Sequence, residues 1–190
     1  MSYAIEFETV DIILRSTAET RGVDAFALSL IKAERQIRKL FTHLVYQYPC
    51  FGPIDIPILR ETLASSRRVY SEGFVRGFDA LYPRSISNLI GARYEELRTW
   101  INEAIEYRKK IFHGQLTTRN LSREELLSYV AQIGEWCKML ATEALSEFGY
   151  DGFVRNSLQK SKIDRLSERF LKQLYGIDSY SAFIRQHMER

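Results

Sequence analysis

From Ser87 to Gly114 the chain reads SNLIGARYEELRTWINEAIEYRKKIFHG. An α-helix turns about 100° per residue, so with Ile101 set at zero, Ile90, Tyr94, Leu97 and Phe112 all fall within about 40° of it. Ala104 and Ile105 widen the same stripe. The pattern predicts one long amphipathic helix over about Ser87–Phe112, with Gly114 placed as the residue just past its end.

Working outward, Ser122-Arg123-Glu124-Glu125 has the spacing of a capping box. It predicts a helix through Leu126, Tyr129, Val130, Ile133, Trp136, Leu140 and Leu145 that ends near Gly149. On the other side, Asp24 suits an N-cap. Leu30, Ala33, Ile37, Leu40, Phe41, Leu44 and Tyr48 then form a stripe that Pro49 and Gly52-Pro53 stop. Ile5, Phe7, Val10, Ile13 and Leu14 suggest a shorter helix before it. Pro57 suits the first turn of a short helix ending near Arg68, and Phe74 to Tyr82 form another, closed by Pro83. In the tail, Leu158, Ile163, Leu166, Phe170, Leu171 and Leu174 predict an amphipathic helix stopped by Gly176, followed by a short one holding Phe183 and Ile184. No convincing period-two strand and no internal repeat is seen. The expected fold class is all-α: an up-down helical bundle over residues 1–150, with a basic helical C-terminal extension, 151–190, packed on the same domain.

Composition agrees with this. In 190 residues, 45% hydrophobic content is enough for a full core without a metal or disulfide staple. The two cysteines, Cys50 and Cys137, stand far apart with no CxxC partner, so they are read as reduced thiols rather than zinc ligands. Met1 to Val10 has neither a basic start nor an apolar run, and no stretch is long enough to span a bilayer; the expected location is cytoplasmic, with no membrane partner. Net charge is +3, and from Asp151 onward eight Lys and Arg face five acids, so the excess lies wholly in the tail. A basic face of this kind is compatible with a polyanion. Neither a P-loop, nor GxGxxG, nor HExxH is present, which leaves nucleotide hydrolysis, hydride transfer and zinc proteolysis without a foothold.

Arg108 is the misfit in the long helix. It falls about 20° from the centre of the apolar stripe, where a guanidinium must be paired, must snorkel, or must face a ligand or a second subunit. His113 follows five residues later, about 140° away on an unbroken helix, so the two side chains would share a site only if the helix ends between them or if two chains contribute. A helix C-terminus also favours an imidazolium.

Arg108, four intervening residues and His113, followed by Gly114 at a helix end, resemble the Arg-x4-6-His signature of HEPN domains. The flanking helices, about Asp24–Tyr48, Ser87–Phe112 and Ser122–Phe148, sit where such domains have their core helices, so the resemblance covers about Asp24 to Gly149. It implies a HEPN-like bundle and a metal-independent endoribonuclease, a toxin or abortive-infection effector in antiviral defence, with no cofactor. It further implies a homodimer in which two motifs meet, RNA as substrate, and an antitoxin or sensor protein as partner. By analogy His113 would be general base or acid at the ribose 2′-OH and leaving oxygen, and Arg108 would hold the scissile phosphate. Lys109 stands where active members often carry Asn, Asp or His, and Gln115 stands where the toxin branch controlled by a nucleotidyltransferase often has Tyr. The alternatives are a non-catalytic HEPN module that binds RNA or a nucleotide or merely dimerises, and an all-α adaptor whose basic tail docks an acidic protein.

Around the motif, Lys109, Lys110 and Arg119 are candidate phosphate contacts and Tyr107 a candidate base-stacking residue. Glu103 and Glu106 are candidates to orient Arg108, although Glu106 is also spaced to pair with Lys110. His43 and His187 have no partner at metal-ligand spacing, and Trp100 and Trp136 are read as packing residues.

Overall fold

The computed structural model describes residues 2–66, 68–112, 121–153 and 156–189, and among these it is helical without strands. The helices are α1 (Ser2–Arg15), α2 (Arg21–Tyr46), α3 (Ile56–Ser65), α4 (Ser71–Leu81), α5 (Ile86–Ile90), α6 (Tyr94–Phe112), α7 (Arg123–Phe148) and α8 (Ile177–His187), with short 3-10 turns at Pro53–Asp55, Gly91–Arg93 and Leu166–Arg169. None is long and apolar enough to cross a membrane. Both cysteines are free thiols, Cys50 exposed and Cys137 buried.

The centre of the bundle is α2. Its buried residues Phe26, Leu30, Ala33, Ile37, Leu40, Phe41 and Leu44 follow the three-and-four spacing of one helix face. That face packs most extensively on α7, with α1, α4 and α6 around it. An aromatic cluster closes the far end, where Phe78 and Tyr82 meet Phe148 at 5.9 and 5.7 Å between ring centroids. Trp136 is buried in the core, and Trp100 packs on it edge-to-face with Tyr129.

Local signals read from the chain hold where their partners lie within a turn. The capping box of α7 is formed: Glu125 N donates to Ser122 Oγ at 3.2 Å and Ser122 N to Glu125 Oε2 at 2.8 Å. The helix ends at Gly149 in the left-handed region. Two boundaries move. The second helix begins one turn early at Arg21, and Asp24 lies inside its first turn, where its carboxylate accepts from Thr20 Oγ1 at 2.7 Å. It remains well placed for the helix dipole.

The expected helix from Ser87 to Phe112 is two helices. Ser85 caps α5, accepting from Asn88 N at 3.2 Å. Gly91, at φ 74°, then breaks the run before α6. Glycine permits that left-handed backbone without penalty. Arg93 anchors the break to α6 through Glu96 at 2.7 Å and to α7 through Glu135.

The larger correction is in the tail. The amphipathic helix expected over 158–174 is absent, and only the 3-10 turn Leu166–Arg169 forms there. Four apolar residues of that pattern, Leu158, Leu166, Phe170 and Leu174, are buried on an irregular strap, whereas Ile163 is partly buried and Leu171 is exposed. Its polar groups are claimed by the C-terminus of α2 instead of by a helical ladder. Lys160 Nζ donates to the carbonyls of Tyr46 and Tyr48 at 2.6 and 2.9 Å, and Gln47 exchanges bonds with Gln159 O and Ser161 N at 3.1 and 2.7 Å. Helix-end carbonyls lack partners of their own, so capping them compensates for the lost helical bonds. The strap leads to α8, which packs on α3 and α4.

Against α4 the chain end comes so close that only glycine fits. A Cβ on Gly73 would lie 2.4 Å from the carbonyl oxygen of Met188, and Arg76 Nη2 donates to that same oxygen at 2.8 Å. Gly73→Ala should therefore force the end of α8 away and destabilise the protein by about 1–3 kcal/mol, as overpacking does. Urea unfolding checks this; an unchanged midpoint would mean that the contact is not made in solution.

Candidate functional site: a cationic cleft beside Arg108

On α6 the stripe deduced from the chain is formed by Tyr94, Leu97, Ile101 and Ala104, all buried. Arg108 continues it one turn beyond Ala104 and leans toward α2. Its side chain is 27% exposed, and Nη1 donates to Glu34 Oε2 of α2 at 2.5 Å. The misfit guanidinium is thus paired across the bundle while keeping an edge to solvent.

That edge opens on a cleft of about 860 Å³ between α2, α6 and the start of α4. Arg35, Arg38, Arg98, Arg108 and Lys109 line it, against Glu34, Glu72 and Glu106. Tyr70, 60% exposed, stands at its wall, and an exposed aromatic ring is the kind of surface on which a base stacks. Crowded cations with a minority of carboxylates favour a polyanion, and the phosphodiester backbone is the polyanion that also uses an aromatic platform.

The other residues singled out around the motif divide. Lys109 lines the cleft and is paired with Glu106 at 2.6 Å, so the partner of Glu106 is Lys109 rather than the Lys110 expected from helix spacing. Lys110 is partly exposed and not among the residues lining the cleft. Tyr107 faces α7, edge-to-face on Tyr129 at 5.5 Å, and packs on the core instead of lining the cleft. Glu103 accepts from Tyr129 Oη at 2.6 Å. Burial and that carboxylate push the Tyr129 phenol well above its ordinary pKa. The orienting carboxylate of Arg108 is therefore Glu34 of another helix, not Glu103 or Glu106 of its own. On one helix, i−5 and i−2 point away from residue i, whereas α2 lies directly opposite it. His113 and Arg119 lie outside the described residues.

Two features were missed in the chain. Arg35, Arg38, Lys39 and Thr42 follow i, i+3, i+4, i+7 spacing, which puts them in one stripe along α2. That signal was there to be found. Tyr70 carries no such pattern and owes its place to the loop before α4.

The Arg108–Glu34 pair also sets an expectation. Each side chain is about a quarter exposed, and ion pairs this wet contribute only about 0–1 kcal/mol. A phosphate can therefore displace Glu34. If an RNA phosphate competes with Glu34 for Arg108, Glu34→Gln should tighten RNA binding about two- to fivefold, read by fluorescence anisotropy at fixed salt. Weaker binding would instead make Glu34 a residue that holds Arg108 in its productive pose.

The remaining histidines are structural. His43 is buried, with Nδ1 3.0 Å from Ser157 O and its ring 4.5 Å from that of Tyr150. His187 packs against Phe183 with its ring tilted by 39°, and burial lowers its pKa. No cluster of metal-ligating side chains occurs among the described residues. Comparisons with protein-family models, with curated proteins and with solved structures find no match to this chain, so the function of the cleft rests on its own residues.

Proposed function

We propose that this chain is a metal-independent endoribonuclease of the HEPN type, acting as a toxin or defence effector. The observation that carries the reading is the position of Arg108: at the C-terminal end of α6, half-buried, on the wall of a cleft that four further cations line. A guanidinium held there presents its planar fork to a phosphate, which suits bidentate capture. His113, the next residue after α6, supplies the proton chemistry. In this reading the ribose 2′-oxygen attacks phosphorus as its proton passes to a general base, and the bond from phosphorus to the 5′-oxygen breaks as that oxygen takes a proton. A 2′,3′-cyclic phosphate and a 5′-hydroxyl result. Arg108 neutralises the charge that builds on the non-bridging oxygens. Two copies of the motif across a homodimer would supply both proton donor and acceptor, and an antitoxin or sensor protein would hold the activity in check.

The test is incubation of the purified protein with a broad RNA panel in EDTA. Cleavage that survives chelation, leaves a cyclic phosphate and spares the 2′-deoxy analogue supports the proposal. Intact RNA throughout the panel overturns it.

A second reading is favoured by the Arg108–Glu34 ion pair, which occupies the guanidinium in the free protein. In a non-catalytic RNA-binding module that pair would be permanent and the other cations of the cleft would suffice. RNA would then bind without being cut, and Arg108→Ala would leave most of the affinity in place.

A further inference from the structure

The Arg108 cleft takes Asn102, Ile105 and Lys109 from one face of α6. About 180° round the same helix, Trp100, Glu103 and Tyr107 follow i, i+3, i+7 spacing and share the opposite face. All three meet a single residue of α7, Tyr129, which is 5% exposed. Its ring lies edge-to-face with Trp100 at 4.8 Å and with Tyr107 at 5.5 Å, and its hydroxyl donates to Glu103 Oε2 at 2.6 Å. Phe26, near the start of α2, packs edge-to-face with the same ring at 5.9 Å. Tyr129 is the junction of α2, α6 and α7.

The ring contacts need no hydroxyl, so the polar bond adds something that packing does not. Apolar attraction is non-directional, whereas a hydrogen bond constrains angle as well as distance. Burial, and then the Glu103 carboxylate, push the Tyr129 phenol well above its ordinary pKa, so the hydroxyl keeps its proton and stays the donor. Arg108 lies about 100° round the helix from Tyr107 and reaches Glu34 of α2. The C-terminal half of α6 is therefore tethered on two sides, by Tyr129 of α7 and by Glu34 of α2.

A phosphate acts on these tethers unequally. One that engages Arg108 competes with Glu34 and loosens the α2 side, while Glu103 lies across the helix from the cleft and keeps its bond to Tyr129. We propose that Tyr129 and Glu103 are positioning residues for Arg108: their hydrogen bond sets the rotation of α6, and so the direction in which the guanidinium meets a phosphate once Glu34 is displaced. This rests on the ribonuclease reading of the cleft. A misplacement of about 1 Å costs about a hundredfold in rate, so a small turn of α6 affects the reaction before it disturbs the fold.

Three variants test this. Tyr129→Phe removes the hydroxyl and keeps the ring, Glu103→Ala removes the acceptor, and Glu103→Gln keeps an acceptor oxygen. RNA cleavage in EDTA, below the melting temperature of every variant, should show kcat lowered about tenfold in Tyr129→Phe and Glu103→Ala, with KM within about twofold of wild type. Glu103→Gln should restore the rate. A second readout needs no cleavage: the NMR signals of the Arg108 side-chain nitrogens, identified by their loss in Arg108→Lys. They should shift in Tyr129→Phe and Glu103→Ala and keep their wild-type position in Glu103→Gln. Unmoved signals in Tyr129→Phe, or an unchanged kcat there, overturn the proposal. If wild-type protein leaves all RNA intact, the ribonuclease reading falls, while shifted signals still show that Tyr129 positions Arg108.

Discussion

Arg108→Ala is expected to reduce RNA cleavage by about a hundredfold or more, the scale on which a donor to a developing oxyanion acts, while leaving the melting temperature nearly unchanged. The two halves of that expectation have separate physical grounds. The chemical half follows from the fork of the guanidinium, which no neighbouring lysine reproduces. The stability half follows from the ion pair with Glu34: both side chains are about a quarter exposed, so water solvates the carboxylate left behind. Arg108→Lys should fall between, keeping the charge and losing the paired hydrogen bonds. His113→Ala should lose about 10²–10⁴-fold, the range of general acid–base catalysis. Because the first effect is electrostatic and the second is proton transfer, the variants should differ in binding. His113→Ala keeps RNA affinity and Arg108→Ala loses part of it. Single-turnover cleavage and anisotropy on the same preparations measure both. Retained cleavage in either variant removes that residue from the reaction.

Gln36→Glu should be the most damaging change of similar size in the bundle. Gln36 is fully buried, and its side-chain amide donates to two carbonyl oxygens, Cys137 O of α7 at 3.0 Å and Asp151 O at 3.1 Å. Its own Oε1 has no partner among the described residues. Replacing the NH2 group by a carboxylate oxygen turns two attractions into two repulsions and buries a charge, which costs about 3–5 kcal/mol if it stays ionised. Protonation offers an escape, since a neutral carboxyl can donate to one of the two carbonyls. Burial raises the folded-state pKa of such a group above its unfolded value of about 4.3. The folded variant then binds more protons than the unfolded one, so its stability falls as pH rises through that interval. Urea unfolding at pH 5 and at pH 7.5 should show a deficit against wild type that is larger at the higher pH. An equal deficit at both would mean that the amide does not hold both carbonyls.

How far the chain itself predicts this architecture depends on how local each signal is. The capping box of α7, its end at Gly149, the closure of α4 before Pro83 and the lean of Arg108 toward the apolar side each depend on residues within one or two turns, and all are present in the structure. Gly91 was the weak point of the long-helix reading, because periodicity continues across a break that preserves the face. The tail misled for a related reason. Most of its apolar residues are buried, with Leu171 left exposed, yet whether a backbone coils is decided by where its polar groups find partners. For this strap those partners sit on the end of α2, more than a hundred residues away in the chain.

From its sequence alone this chain is an all-α protein with a guanidinium out of place near the end of a helix, five residues before His113, because helical periodicity and capping are satisfied by near neighbours. Only the tertiary structure pairs that guanidinium with Glu34, 74 positions away, and turns cations of α2 and α6 onto one cleft. The reason is physical: charge and shape at a site sum over elements whose mutual placement is set by core packing, and a periodic stripe on one helix does not say which other elements will face it.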